Sequence, residues 1–375
     1  MDCYPLKLSY HIRHYHFGER LIESKLHKPN LPAGIIAETW EISDHKDTSA
    51  RILNGSLAGH SLHELSQRYP DELVGKGWRG PHFPLLAKFL DASHMLPVHL
   101  HADDARAKSY YQEPNGKSEA WHIIWAAEDA SILAGLKSHY SREALFEAFK
   151  DEAYDRVMPR YPIQAGDTVY VPGGIIHSFG PDTLIFEIQQ TSDLGNTVMP
   201  TDLYSQVLDE KTWDANINAT LDELKNDYQP RPHAGLAIQL GDNERRFGCA
   251  SRHFVLERLK LRSLYLEASH PERFVTLSNV GDPLIIRYQG GEEILARAES
   301  CILPAAIGEV QLIPQGESDL IVCYVPDLAK DVIAPLRAAG YSLAEIESLG
   351  INVQGFSSPS ACGQGRPTLH VKDLF

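Results

Sequence analysis

Between Gly166 and His177 the chain reads Gly-Asp-Thr-Val-Tyr-Val-Pro-Gly-Gly-Ile-Ile-His: a glycine, five residues, Pro-x-Gly, two residues and a histidine. Glycine tolerates positive φ and proline pre-sets its own φ, so Pro172-Gly173-Gly174 predicts a tight turn between two strands. His177 then opens the second of those strands at a fixed distance from the turn. A chain built this way is committed to β structure here, with an imidazole presented at a defined place.

A second imidazole pair lies upstream in Leu-Pro-Val-His-Leu-His-Ala-Asp-Asp, residues 96–104. Alternate side chains of a strand share a face, so His99 and His101 project together. Taken alone, such a pair is commonly no more than two solvated strand histidines. Together with His177 it reads as part of a site for Zn²⁺, with Fe²⁺ or Mn²⁺ as alternatives, all of which accept imidazole nitrogen. Gly116-Lys117-Ser118-Glu119 leads into the apolar stretch Ala120–Trp125, which puts a carboxylate at the head of a strand. Glu119 completes a three-nitrogen, one-oxygen set, His99, His101, Glu119 and His177, that leaves room for a substrate.

The formal charge is −15, which argues against nucleic acid or an anionic membrane surface as partner. A small sugar or sugar phosphate is compatible, because one pocket can be basic on an acidic protein. The chain has five cysteines, Cys3, Cys249, Cys301, Cys323 and Cys362, an odd number without a Cys-x-x-Cys pair. Reduced thiols in the cytoplasm are the expectation. The first ten residues lack the apolar core of a signal peptide, and no apolar run is long enough to span a bilayer, so a soluble protein is expected.

The pattern of elements predicts a mainly β protein with helical insertions. Helices are expected over Ser61–Leu73, where Ser-x-x-Glu forms a capping box, over Ser141–Asp155, and over Thr212–Asp227. Strands are expected at His122–Ala126, Thr168–Val171 and Thr183–Gln190. The proline-rich joint at 228–232 marks a boundary, after which short strands follow one another to about residue 326. Three regions result: 1–230, carrying the candidate site; 231–326, a smaller β unit; and 327–375, one or two helices and a Gly/Ser/Pro tail over 355–365.

The two histidine motifs, His-x-His and Gly-x₅-Pro-x-Gly-x₂-His, resemble the motif pair of the cupins, and in this form are similar to the class I mannose-6-phosphate isomerases. Ala37–Ser43 (AETWEIS), Asn54–Gly59 (NGSLAG), Phe83–Ala92 (FPLLAKFLDA), Gly116–Glu119 (GKSE) and Phe186–Gln190 (FEIQQ) follow in that family's order. The likeness is strong over residues 17–193 and weak over 247–326. It implies a cupin jelly-roll barrel with a helical insertion, followed by a second, smaller cupin-like β domain. It further implies a zinc-dependent aldose–ketose isomerase working through an enediolate, with His101, Glu119 and His177 as ligands. His99 stands where the family usually has Gln. Lys88 and Lys117 match pocket lysines.

One departure is chemical. The family carries a catalytic Arg four residues beyond Ser192-Asp193, where this chain has Thr197, and no Arg occurs between Arg160 and Arg231. A hydroxyl cannot replace a guanidinium's fixed cationic fork. The remaining cations expected near the pocket are Lys88 and Lys117, with Arg106 and Arg160 from flanking segments. Candidate proton-transfer groups are Lys117, Lys88, Glu187 and His122. Two further classes share these residues: a metal cupin with other sugar chemistry, and a non-catalytic sugar-binding cupin.

Overall fold

A computed structural model describes residues 1–267 and 271–351, and the expected tail over 355–365 lies outside the described residues. The architecture is mainly β. Every strand pairing among the described residues is antiparallel, and no parallel sheet with crossover helices surrounds the histidines. In the first half a six-stranded sheet runs His11–Arg13, Glu38–Ile42, Leu85–Ala92, Thr183–Gln190, Glu119–Ala126, Thr168–Val171 in spatial order. A five-stranded sheet runs Asn196–Thr197, His99–Leu100, His177–Phe179, Ser131–Ala134, Arg160–Pro162. The two face each other as the expected jelly roll.

Period-two alternation sorts their side chains. Leu90, Ile123 and Ile185 point inward and pack with Trp121, Val169, Ile132 and Phe179 between the sheets. Two residues along the same strands, on the same inner face, stand Lys88 and Glu187, which are direct cross-strand partners. Glu119 lies two residues before Trp121. The interior is therefore apolar at one end and charged at the other. The opposite face of the six-stranded sheet is also covered: Ala87, Phe89, Ala120, Tyr170, Phe186 and Ile188 pack with Cys249, Phe254 and Leu256 of the second half. Burial on both faces explains why Leu85–Ala92 and Thr183–Gln190 are buried throughout rather than alternately.

The helices Arg142–Lys150, Tyr154–Val157 and Glu210–Glu223 cover the outer face of the five-stranded sheet, where Leu145, Phe149, Val157 and Ile217 meet Val98, Leu100, Leu133 and Ile176. The expected helix from Ser61 has its capping box, with Ser61 and Glu64 bonding reciprocally, but it is broken into Leu62–Arg68 and Pro70–Leu73. Tyr69, before the proline, is forced out of the helical region at φ −132°, ψ 51°. The helix expected over 141–155 stops at Lys150, and Glu152 sits at φ +51°. The helix expected from Thr212 starts two residues earlier because Asp209 accepts the Thr212 N–H and caps it.

The second half builds a seven-stranded and a four-stranded sheet around its own core. Leu6–Lys7, from the start of the chain, adds to the edge of the seven-stranded sheet by pairing with Ser300–Leu303. No helix among the described residues is long and apolar enough to cross a membrane.

Candidate metal centre

His99 and His177 are cross-strand partners, and Thr197 pairs with His99 on its other side. Each imidazole is oriented by a backbone carbonyl. His99 Nδ1 lies 2.7 Å from the Pro97 oxygen, His101 Nδ1 2.8 Å from Leu194, and His177 Nδ1 2.8 Å from Ile175. A carbonyl only accepts, so each ring donates from Nδ1 and turns the bare Nε2 lone pair inward. The three rings converge, with His99 Nε2 3.1 Å from His177 Nε2. Glu119, 1% exposed, brings Oε1 to 3.1 Å from His177 Nε2 and Oε2 to 3.2 Å from His101 Nε2. The structure thus gathers all four residues expected as ligands.

The four fit a divalent transition ion. Two neutral imidazoles facing each other lone pair to lone pair repel unless a cation or proton lies between them, and Glu119 Oε2 is buried without a well-directed hydrogen bond. Two of the rings, His101 and His99, are kept neutral. Burial, followed by the Lys117 ammonium, lowers His101 to about 4, and burial, followed by its histidine neighbours, holds His99 well below the usual range. Glu119 is a carboxylate throughout: Lys117 and His101 outweigh its burial and hold it well below the usual range. Three imidazole nitrogens and one carboxylate are an N₃O set of the kind that holds zinc.

The glycines of the two motifs act by different means. Gly174 has φ +99°, and its N–H donates to the His101 carbonyl at 2.7 Å, so the turn itself needs glycine there. Gly173 and Gly116 instead press on the backbone after His101. A Cβ on Gly173 would come within 2.8 Å of Ala102 O, and one on Gly116 within 2.4 Å of the Asp103 carbonyl carbon.

Lys117 and Lys88 complete the charged end. Lys117 Nζ is 2.8 Å from Glu119 Oε2, 2.8 Å from His101 Nε2 and 3.5 Å from Glu187 Oε1. Lys88 Nζ is 3.1 Å from Glu38 and 3.3 Å from Glu187. Burial alone would lower Lys88, but Glu187 and then Glu38 more than offset it, so this ammonium is held charged. Burial, then the charge of Glu119, pushes Glu187 up to about 7, and its Oε1 is buried without a hydrogen bond.

His122 is not in this group. It sits an odd number of residues from Glu119, so it faces the other side of the sheet, where Nδ1 meets Thr168 Oγ1 at 3.0 Å and Nε2 meets Arg258. Arg160 forks onto Asp155 at 2.9 and 2.8 Å on the surface, and Arg106 is neutralised by Glu223 at 3.3 Å. Neither replaces the guanidinium expected near Thr197, whose hydroxyl donates to Val98 O and accepts the Met199 N–H. The structure adds residues that no motif announced. Glu38 belongs to the AETWEIS segment yet had no assigned role, and Arg13 lies 4.3 Å over the Trp40 ring with its Nε buried and unbonded.

A family profile for the catalytic domain of type I phosphomannose isomerase matches residues 6–128. The mannose-6-phosphate isomerase of Streptococcus mutans is 37% identical over 164 residues, 44% of this chain and 51% of that protein. The Bacillus subtilis mannose-6-phosphate isomerase ManA is 33% identical over 163 residues, again 44% and 51%. The chain thus spans about half the length of the curated relatives it matches. In fold, a crystal structure of mannose 6-phosphate isomerase from Bacillus subtilis superposes with a TM-score of 0.74, covering 85% of this chain and 99% of that one at 23% identity.

Proposed function

We propose that the chain is a member of the type I phosphomannose isomerase family, whose catalytic-domain profile matches residues 6–128, and that it is a metal-dependent aldose–ketose isomerase acting on mannose 6-phosphate and fructose 6-phosphate or a related sugar pair. The observation that carries this reading is the convergence of three Nδ1-anchored histidines and Glu119 beside two lysines and a carboxyl near neutrality. His99, His101, Glu119 and His177 are the proposed ligands, and zinc the proposed metal. When bound, the ion supplies Lewis-acid polarisation of the sugar oxygens beside the carbon that loses its proton.

The protein's own groups have separable tasks. Isomerisation needs a proton moved between adjacent carbons, and a group titrating near 7 is best matched to taking and returning it. Glu187 is that group. Lys88, held charged between Glu38 and Glu187, is a fixed cation for substrate oxygens rather than a base. Lys117 bridges His101 and Glu119 to Glu187 and steadies negative charge at the reacting end. Arg13 offers a buried guanidinium N–H for an anionic group, in place of the Arg absent at Thr197.

Metal analysis of the purified protein, followed by proton-exchange NMR on mannose 6-phosphate, fructose 6-phosphate and their unphosphorylated forms, tests the reading. Isomerase action transfers or exchanges the C1/C2 proton of one pair. Bound metal with no exchange on any pair would favour other sugar chemistry or simple binding. A folded His101→Ala protein that holds as much metal as wild type would remove the ligand assignment.

A further inference from the structure

Among the described residues a second set of ligand-type side chains brings one donor atom from each residue within 4.8 Å of the others: Asp44, His63 and His82. They lie apart in sequence. Asp44 follows the Glu38–Ile42 strand, His63 is in the first turn of the Leu62–Arg68 helix, and His82 precedes the Leu85–Ala92 strand. Asp44 is 1% exposed. Its Oδ2 accepts the Phe83 N–H at 2.7 Å and the Ser66 hydroxyl at 3.4 Å. Its Oδ1 is buried and makes no hydrogen bond, although His63 Nδ1 stands 3.2 Å away. His82 Nδ1, 3.9 Å from Asp44 Oδ2, is likewise buried and unbonded.

A hydrogen bond from His63 Nδ1 to Asp44 Oδ2, 3.3 Å long, would satisfy one ring and leave the other two atoms without partners. Buried acceptors and donors left in that state are costly. One cation would satisfy all three. Tetrahedral coordination with bonds of about 2.0–2.1 Å places donors roughly 3.3–3.4 Å apart. His63 Nδ1 is 3.2 Å from Asp44 Oδ1 and His82 Nδ1 is 3.9 Å from Asp44 Oδ2. The two imidazoles thus approach that spacing from the two oxygens of one carboxylate, and a small side-chain adjustment brings them to a shared ion. The rings of His63 and His82 are 46% and 28% exposed, so solvent can reach a fourth position.

We propose that Asp44, His63 and His82 bind one divalent transition-metal ion of the zinc class, independently of the centre at His101. Two imidazoles and a single carboxylate select zinc, cobalt or nickel over the all-oxygen cations magnesium and calcium. The ion would pin three segments together: the turn after the strand bearing Glu38, a helix, and the lead-in to the strand bearing Lys88. Its role is structural, because Asp44 and His82 flank the two strands that carry Glu38 and Lys88, and His63 ties both to the Leu62–Arg68 helix.

The test is zinc content by mass spectrometry of full-length protein, stripped with chelator, reloaded with zinc and dialysed. Wild type, His101→Ala, His63→Ala/His82→Ala and the combination of all three are compared. Two ions, one, one and none are expected, and the single ion in His101→Ala should still raise the melting temperature. One ion in wild type and none in His63→Ala/His82→Ala would support this site and count against the centre at His101. Equal zinc in wild type and in a folded His63→Ala/His82→Ala protein would overturn it, as would retention of magnesium or calcium in place of zinc. Asp44→Asn, which keeps an acceptor for the Phe83 N–H but loses the charge, should lose the same ion if the alanine variants do not fold.

Discussion

Glu187 is the residue whose chemistry depends most on its neighbours. It stands between two ammonium groups, yet burial and Glu119 push it up to about 7. If it carries the proton between carbons, the active form is the carboxylate, so kcat should fall as pH drops below about 7 and level off above it. Glu187→Gln should lower kcat by about 10²–10⁴-fold, with metal content unchanged. A variant with wild-type kcat would show that another group moves the proton. Thr197 supports a second expectation. A charge-assisted hydrogen bond is worth about 1.5–3 kcal/mol, and each 1.36 kcal/mol is tenfold in rate. Turnover of mannose 6-phosphate should then be roughly ten- to 150-fold below that of a relative with the Arg, unless Arg13 compensates. Steady-state kinetics of wild type, Thr197→Arg and Arg13→Met on phosphorylated and unphosphorylated sugars decide this, and efficient wild-type turnover that survives Arg13→Met would refute it. At this scale the four clustered side chains are legible in the sequence because two-residue spacing and a turn motif encode direction. The same parity, counted from Glu119, places His122 on the opposite face and so removes it from the candidates. The carbonyls of Pro97, Ile175 and Leu194 that orient the rings carry no side-chain signal, and Arg13 reaches the charged end only through strand pairing.

At the scale of elements, two glycines show why the motifs have the form they do. Gly173 and Gly116 come from different loops but abut the same backbone, Ala102 to Asp104, immediately after a proposed ligand. A Cβ at Gly116 would meet backbone atoms at 2.4 and 2.5 Å, so no side-chain rotation could relieve the clash. Gly116→Ala should therefore displace the His101 segment, costing about 1–3 kcal/mol as overpacking does, and weaken metal retention. Denaturant unfolding with and without zinc measures both effects; unchanged stability and metal content would mean that the loop adapts freely. Turn conformation, the role expected of the Pro172-Gly173-Gly174 glycines, requires positive φ at Gly174, whereas Gly173 and Gly116 are held by close approach. Close approach between distant loops has no local signature. Leu85–Ala92 likewise carries no alternation that would mark it as a strand, because both of its faces are buried.

Across the whole molecule, the second half bears on the first close to the proposed metal centre. Arg252 donates to Asp104 Oδ2 at 2.9 Å, and Asp104 in turn accepts the Gly116 N–H at 3.0 Å and the Gln190 amide at 2.9 Å. His253 lies between these groups, 3.8 Å from Asp104 Oδ2, and its Nε2 accepts from Arg252 Nε at 3.2 Å. Burial lowers His253 to about 4, the attraction of Asp104 only partly opposing it. Its folded value is thus below the unfolded value of about 6.5, and the unfolded chain binds more protons between those limits. The contribution of a neutral His253 is complete above about pH 6.5 and is lost as pH falls toward about 4. The slope is at most about 1.36 kcal/mol per pH unit, or up to about 3 kcal/mol over the window. His122, also buried at the junction against Arg258, is lowered and adds with the same sign. Urea unfolding at about pH 7, 5.5 and 4.5 should show wild type losing stability more steeply than His253→Gln, which keeps a polar side chain but cannot take up the proton. Parallel slopes would mean that His253 is protonated as readily in the folded protein as in the unfolded chain, and the junction would then not be what makes the molecule acid-sensitive.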